Sequence, residues 1–467
     1  MRSLKQANPK DIELIPEKIN SVSTVWVIIL FTGGCVYSSA IQMGNVFGVG
    51  LPVALILSIF FSLLVWYGMW MLRCAIGEAR KDNSAAIWKK LAGKYEFIPC
   101  ALIAVACAGN IIYLYYMIHQ FFSLFISLVS PIQTPSQSYS LPALISMNHP
   151  KSKNEISIIQ SNSFLYQKFT DQAAKISDKS ITTSYSEKTK MTIREFFTDY
   201  FIVSFLASLI VLPGVLMKQD VRYFSVIALI KIFVVALMII FELYNLIETG
   251  ISPEVATLSA SFNGIIASLD TLMTVFALTI FYFPIIGQLK NLTLNRIDKV
   301  NRWSIASIAF IDILFGVLQH LDQGPNYTSG FIFSMYQPGS RIQIIMVFLS
   351  LILSLLTLPM MFYPMIQVIL GAVYVIYPFP SETWCLTGLG VSIICIFLGK
   401  LDINAFLILF FIVGFFSAIL SYLFPVMYYF SAVKNPPIIH IIGCICMILM
   451  FILYCFAHIS NFFGFFL

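Results

Sequence analysis

The chain has 467 residues, 59% hydrophobic and only 11% charged, with 42 phenylalanines and a formal net charge of +6. Such a composition excludes a soluble globular domain and a disordered chain, and places the protein among polytopic membrane proteins. The surplus charge sits on loop lysines and arginines, where it orients a chain in a bilayer, so no nucleic-acid partner is expected.

Residues 1–20 form a polar tail, and the first apolar run that follows is too long for a cleavable signal. A bilayer core takes about 20 apolar residues per helix. Runs of that kind fall at 22–43, 51–72, 97–129, 199–217, 223–247, 258–288, 303–320, 342–371, 384–399, 403–430 and 438–457. The expected fold class is therefore an all-α polytopic membrane protein with about eleven transmembrane helices. The nine cysteines lie in or beside these runs, and none is in the long polar loop. Neither a disulfide framework nor a zinc site is expected.

Loop charge predicts the orientation. With the N-terminus inside, the cytoplasmic segments carry 17 Lys and Arg, against 2 in the short outer loops. The N-terminus is thus expected in the cytoplasm and the C-terminus outside. Loop 131–197 is long, Ser/Thr/Lys/Gln-rich and poor in aromatics, which predicts a solvated outer excursion with short helices near 163–178 and 187–197. Asn326-Tyr327-Thr328 is a glycosylation sequon on the same side.

One stretch breaks the apolar pattern of the first span. Ser38-Ser39-Ala40-Ile41-Gln42-Met43-Gly44-Asn45 is small and polar where lipid would favour Leu, Ile and Phe, and Gly33-Gly34 precede it. Non-helical backbone at membrane depth is tolerated only where it lines a buried or watered cavity. Small residues also let helices pack closely, so a helix contact face is the other reading. Four ionisable residues lie inside later spans. Lys231 and Glu242 are expected to reach an interface by snorkelling. Asp270, near Thr271 and Thr274, is expected to face the cavity, and Asp312 stands in the seventh span. No Ser/His/Asp set, phosphate loop or metal-spaced His/Glu pair is present, so an enzyme is not expected.

The run Ala40-Ile41-Gln42-Met43-Gly44-Asn45-Val46-Phe47 resembles the first-helix motif of the neurotransmitter:sodium symporter family. Arg73-Cys74-Ala75-Ile76-Gly77, Trp88-Lys89-Lys90 and Thr357 ahead of Pro364 match further motifs of that family in the same order. The family's arginine after the first motif is absent, and Gly48-Val49-Gly50 stand there. Another branch of the same fold, such as the purine–cytosine permeases, is the alternative.

The resemblance implies a LeuT-type fold of two inverted five-helix repeats with discontinuous helices 1 and 6. The repeats would cover 21–248 and 249–430, and an extra helix with the C-terminus 431–467. It also implies sodium-coupled symport of an amino acid by alternating access, with sodium as the coupling ion and no other cofactor. One sodium would take the Ser38 and Ile41 carbonyls and the Thr357 hydroxyl, with Ser354 one turn away as a further hydroxyl. A second would use the Ala40 carbonyl and the Asn45 side chain. Ala40, Gly44, Tyr113, Tyr116 and Thr274 would line the substrate, the choice between the two tyrosines being open. Asp312, with Asp270, would supply compensating negative charge. A transport-inactive relative serving as a sensor or assembly partner is the rival from another class. Substrate identity and oligomeric state are not encoded in these patterns.

Overall fold

The computed structural model describes residues 21–81, 84–93, 97–129, 198–217, 221–256, 262–275, 279–324, 336, 339–373, 379–401 and 403–466. At 38–42, 44, 45 and 274, among others, only the backbone is described. The tail 1–20, loop 131–197 with its expected helices, and the sequon at 326–328 lie outside these residues.

The described chain is helical throughout, apart from a single parallel bridge between Val22 and Leu289. The first half comprises α1 (Thr24–Phe47), α2 (Leu51–Ala79), the short α3 (Ser84–Ala92), α4 (Phe97–Val129), α5 (Tyr200–Met217) and α6 (Val221–Thr249). The second half comprises α7 (Phe262–Val275), α8 (Thr279–Ile286), α9 (Leu294–Gln323), α10 (Arg341–Val373), α11 (Ser381–Leu398), α12 (Ile403–Ala418), α13 (Phe424–Ala432) and α14 (Ile438–Phe466). Among the described residues, eight helices are long and apolar enough to cross a bilayer, and three shorter apolar ones occupy the first, fourth and sixth predicted spans. Helix is the form these runs must take, because hydrocarbon offers no partner for a free backbone N–H or C=O. The protein is an integral, multi-pass membrane protein.

The side chains are sorted as lipid requires. Leu209, Ile210, Phe233, Ile240, Ile393 and Ile452 point outward, while Lys231, Glu242, Asp312 and Gln319 are buried. The expected snorkelling of Lys231 and Glu242 is therefore corrected, since both are 0% exposed. Their positions on α6 face α1, α9 and α10, not the lipid.

α1 runs through the middle of the bundle, against α6, α7, α8, α9 and α10. Two close approaches set its place. A Cβ on Gly33 would lie 2.6 Å from the Ala228 backbone of α6, and one on Gly316 of α9 would lie 2.3 Å from the Phe47 ring. The far end of α1 turns sharply into α2 through Gly50, whose φ of 98° suits glycine and whose N–H donates to the Phe47 carbonyl.

The expected break in helix 1 is corrected: α1 is continuous from Thr24 to Phe47. Serine and alanine cost at most about 0.7 kcal/mol each in helix propensity, and packing on the neighbouring helices outweighs that. The sixth span is described over α7 and α8, and the break expected in it falls on residues 276–278, outside the described residues. The tenth span carries a π turn, Ile419–Leu423, ending just before Pro425. A proline has no N–H to give the preceding turn, so the ladder shifts there.

Hydrogen bonds at each end show which segments lie together. At the near end, the Val22 N–H donates to the Gln288 carbonyl (2.9 Å) and the Lys290 N–H to the Val22 carbonyl (2.8 Å). Arg73 pairs with Asp298 there at 2.7 Å. At the far end, Asp322 accepts from Asn245 (3.1 Å) and Thr249 (3.0 Å), and Glu242 accepts from the Tyr336 hydroxyl.

Candidate substrate and ion site

The polar stretch of α1 is bracketed by hydrogen bonds to two other helices. Just before it, the Tyr37 hydroxyl meets Ser354 Oγ of α10 at 3.2 Å. Just after it, Ser268 Oγ of α7 donates to the Val46 carbonyl at 3.3 Å. The backbone from Ser38 to Asn45 thus lies where spans 1, 6 and 8 converge. Tyr113 of α4 is within electrostatic reach of Tyr37, so span 3 also reaches this place. Tyr113 and Tyr116 are both half-buried.

On α10, Ser354 and Thr357 are fully buried. Thr357 Oγ1 donates to the Leu353 carbonyl at 2.7 Å and Ser354 Oγ to the Ser350 carbonyl at 2.8 Å. This back-bonding is the bland fate of a hydroxyl in a membrane helix. It uses the proton, not the lone pairs, so each oxygen retains acceptor capacity toward a cation. The side chains of Ser38, Ala40, Ile41, Asn45 and Thr274 lie outside the described residues, as does everything at Gly44 beyond its backbone. The buried hydroxyls of Ser354 and Thr357 are oxygen donors of the kind a hard cation takes.

Charge enters from the far side of α1. Asp312 of α9 and Lys231 of α6 are fully buried, and Cys35 of α1 is within electrostatic reach of both. Lys231 Nζ has no hydrogen-bond partner among the described residues. Asp312 therefore sits against α1, three residues before the polar stretch begins, where a carboxylate can offset a cation.

Asp270 is placed differently from the expectation that it faces the cavity. Its carboxylate lies 3.1 Å from Nδ1 of His458 on α14, whose Nε2 lies 3.1 Å from the Phe411 carbonyl oxygen. Both ring nitrogens face acceptors, which is the arrangement of an imidazolium. The ring is sandwiched by Phe411 and Tyr454, each with its centroid 5.0 Å away. Asp270 thus belongs to the contact between the sixth span and the last helix.

Sequence reasoning missed Tyr37, Ser268 and His458. Tyr37 adjoins the polar stretch and Ser268 lies two residues before Asp270, on another face of the same helix, but neither carries a motif. His458 was read as nothing because its partner is 188 residues away. Tyr115, the middle tyrosine of the span 3 set, is buried against Ser208 (2.7 Å) and Ser392 (2.8 Å) and locks α4 to α5 and α11.

No family model matches the chain, and no curated protein matches it. Among solved structures it is similar to MhsT in complex with L-phenylalanine, with a TM-score of 0.52 and 13% identity, covering 94% of this chain and 100% of that one. At this identity the likeness shows the fold, the LeuT type.

Proposed function

We propose that the protein is a secondary transporter that carries an amino acid together with sodium by alternating access. The observation that carries this reading is the bracketing of Ser38–Asn45 by Ser354 on α10 and Ser268 on α7. It sets the polar stretch of α1 against hydroxyls of α10 and α7, at the place where a fold of this type is expected to hold its ligands, between spans 1, 3, 6 and 8. L-phenylalanine bound to the structural neighbour favours an amino acid over a nucleobase as the solute class. The chain is read as a carrier, not an enzyme. N-terminus inside and C-terminus outside is the orientation that the loop charges favour.

The test is thermal unfolding of the purified protein in sodium against choline, with and without a panel of amino acids and nucleobases. An ion bound only by the folded state raises its stability, by about 2.7 kcal/mol at one hundred times its Kd. Sodium should raise the midpoint, and one class of solute should raise it further only when sodium is present. A midpoint indifferent to sodium and to every solute would favour the sensor or assembly reading.

Lys231 favours a second reading of the coupling ion. A lysine buried beside α1 already places one basic group at the ion region, so a proton is the alternative to sodium. Stabilisation by solute that is equal in sodium and choline would select it. If Asp312 supplies the compensating charge, wild-type transport runs without chloride, and Asp312→Ser transport is partly restored by adding it. Wild-type transport that needs chloride would remove Asp312 from this role.

A further inference from the structure

An apolar groove opens on the lipid-facing side, between α5 and α11. Phe201, Phe205 and Leu206 form one wall and Ile393, Ile396 and Phe397 the other, enclosing about 540 Å³. That volume lies within the ordinary range for small-molecule sites, about 300–1,000 Å³. Its polar lining is nearly nil.

The groove is held open from behind. Tyr115 bonds to both Ser208 of α5 and Ser392 of α11, and these serines are 3.3 Å apart. Nearer the other end of the two helices, the Trp384 indole N–H donates to the Val215 carbonyl at 2.9 Å. The spacing of α5 and α11 is thus fixed by buried polar contacts, and the helices cannot slide together to fill the cleft. Phe205 and Phe397 remain exposed along its rim.

A cation stands at its mouth, at the same end as Asp199, which caps α5 by accepting from the Phe201 and Ile202 N–H groups. Lys400 lies two residues beyond the end of α11, at the boundary of an 18-residue span, and its Nζ is 4.2 Å from the Phe201 ring centroid. The ammonium is held over the groove wall by the face of that ring. An apolar cleft at acyl-chain depth, topped by a cation at headgroup depth, is complementary to a lipid with a negative headgroup.

We propose that this groove is a binding site for an anionic glycerophospholipid, one acyl chain lying between α5 and α11 and the phosphate on Lys400. The site is separate from the ion and substrate region and does not depend on the transport reading.

The test uses the full chain purified in detergent, with phosphatidylglycerol and diacylglycerol of identical acyl chains, followed by native mass spectrometry and thermal unfolding. Phosphatidylglycerol should bind about fivefold more tightly than diacylglycerol, the contribution of one basic residue near a charged headgroup. Lys400→Gln should abolish that preference, and Ile393→Trp should weaken both lipids by filling the cleft. Equal binding of the two lipids, or a preference that survives Lys400→Gln, would overturn the proposal. So would a disulfide-linked dimer formed by Phe205→Cys in a cysteine-free background within native membranes, because a second copy would then occupy the face.

Discussion

Thr357 uses its hydroxyl proton on the Leu353 carbonyl and keeps its oxygen as an acceptor, so a valine of the same shape removes one possible cation ligand and little else. Asn45→Leu does the same for an amide at the other end of the polar stretch. Losing a ligand from a small-cation site costs about 1–3 kcal/mol on the scale of an unsatisfied charged partner, a roughly five- to hundredfold rise in half-activating sodium. Sodium titration of transport by Thr357→Val and Asn45→Leu should show that rise. Normally folded variants with wild-type sodium dependence would reduce the stretch to a packing face. His458 is the opposite case, a side chain whose two nitrogens are both engaged in structure. His458→Leu removes the Asp270–His458 pair in a half-buried setting and should cost about 1–3 kcal/mol of stability. Adding Asp270→Asn should return most of it, measured as the change in thermal midpoint. A double variant no more stable than His458→Leu alone would show that the pair is not coupled. Of the two, only the part played by His458 was invisible in the sequence. Thr357 stood out only through a motif, and pairing between positions 270 and 458 has no local signature.

At the scale of elements, apolar run length sufficed to place the spans, since lipid forces each such run into a helix. What it could not give is which face turns inward. Helices apolar on every side carry almost no periodicity, so Lys231 and Glu242 looked like residues near span ends when they are in fact buried. The small residues of α1 were ambiguous for a related reason, because the same residues suit an unwound segment and a close helix contact. The backbone shows continuous helix, and the contact is explicit at Gly33. Gly33→Val would push a side chain into the Ala228 backbone and should destabilise by about 1–3 kcal/mol, the usual range for overpacking. Gly390 in α11 has nothing within 4 Å of a built Cβ, so Gly390→Ala should stabilise by up to about 1 kcal/mol through helix propensity alone. The two variants differ in neighbours, not in helical setting, and denaturation midpoints in one detergent would compare them. A neutral Gly33→Val would mean that α1 and α6 can part without loss.

For the whole molecule, the contacts at the two ends reduce topology to a single choice. Val22 bonded to Gln288 and Lys290 fixes the start of α1 and the segment after α8 at one end. Asp322 bonded to Asn245 and Thr249 fixes the ends of α6 and α9 at the other. Only the side on which each end lies remains, and the distribution of 17 basic residues against 2 in the short loops predicts the near end to be cytoplasmic. Single cysteines placed in a cysteine-free background and labelled with an impermeant maleimide on intact cells would measure it. Positions in loop 131–197 and at the C-terminus should label directly. Positions in 73–96 and at Lys434 should label only after permeabilisation. The reverse pattern would place the basic residues outside against the membrane potential, and would turn the ion region and the Lys400 groove toward opposite sides from those assumed in every transport experiment above.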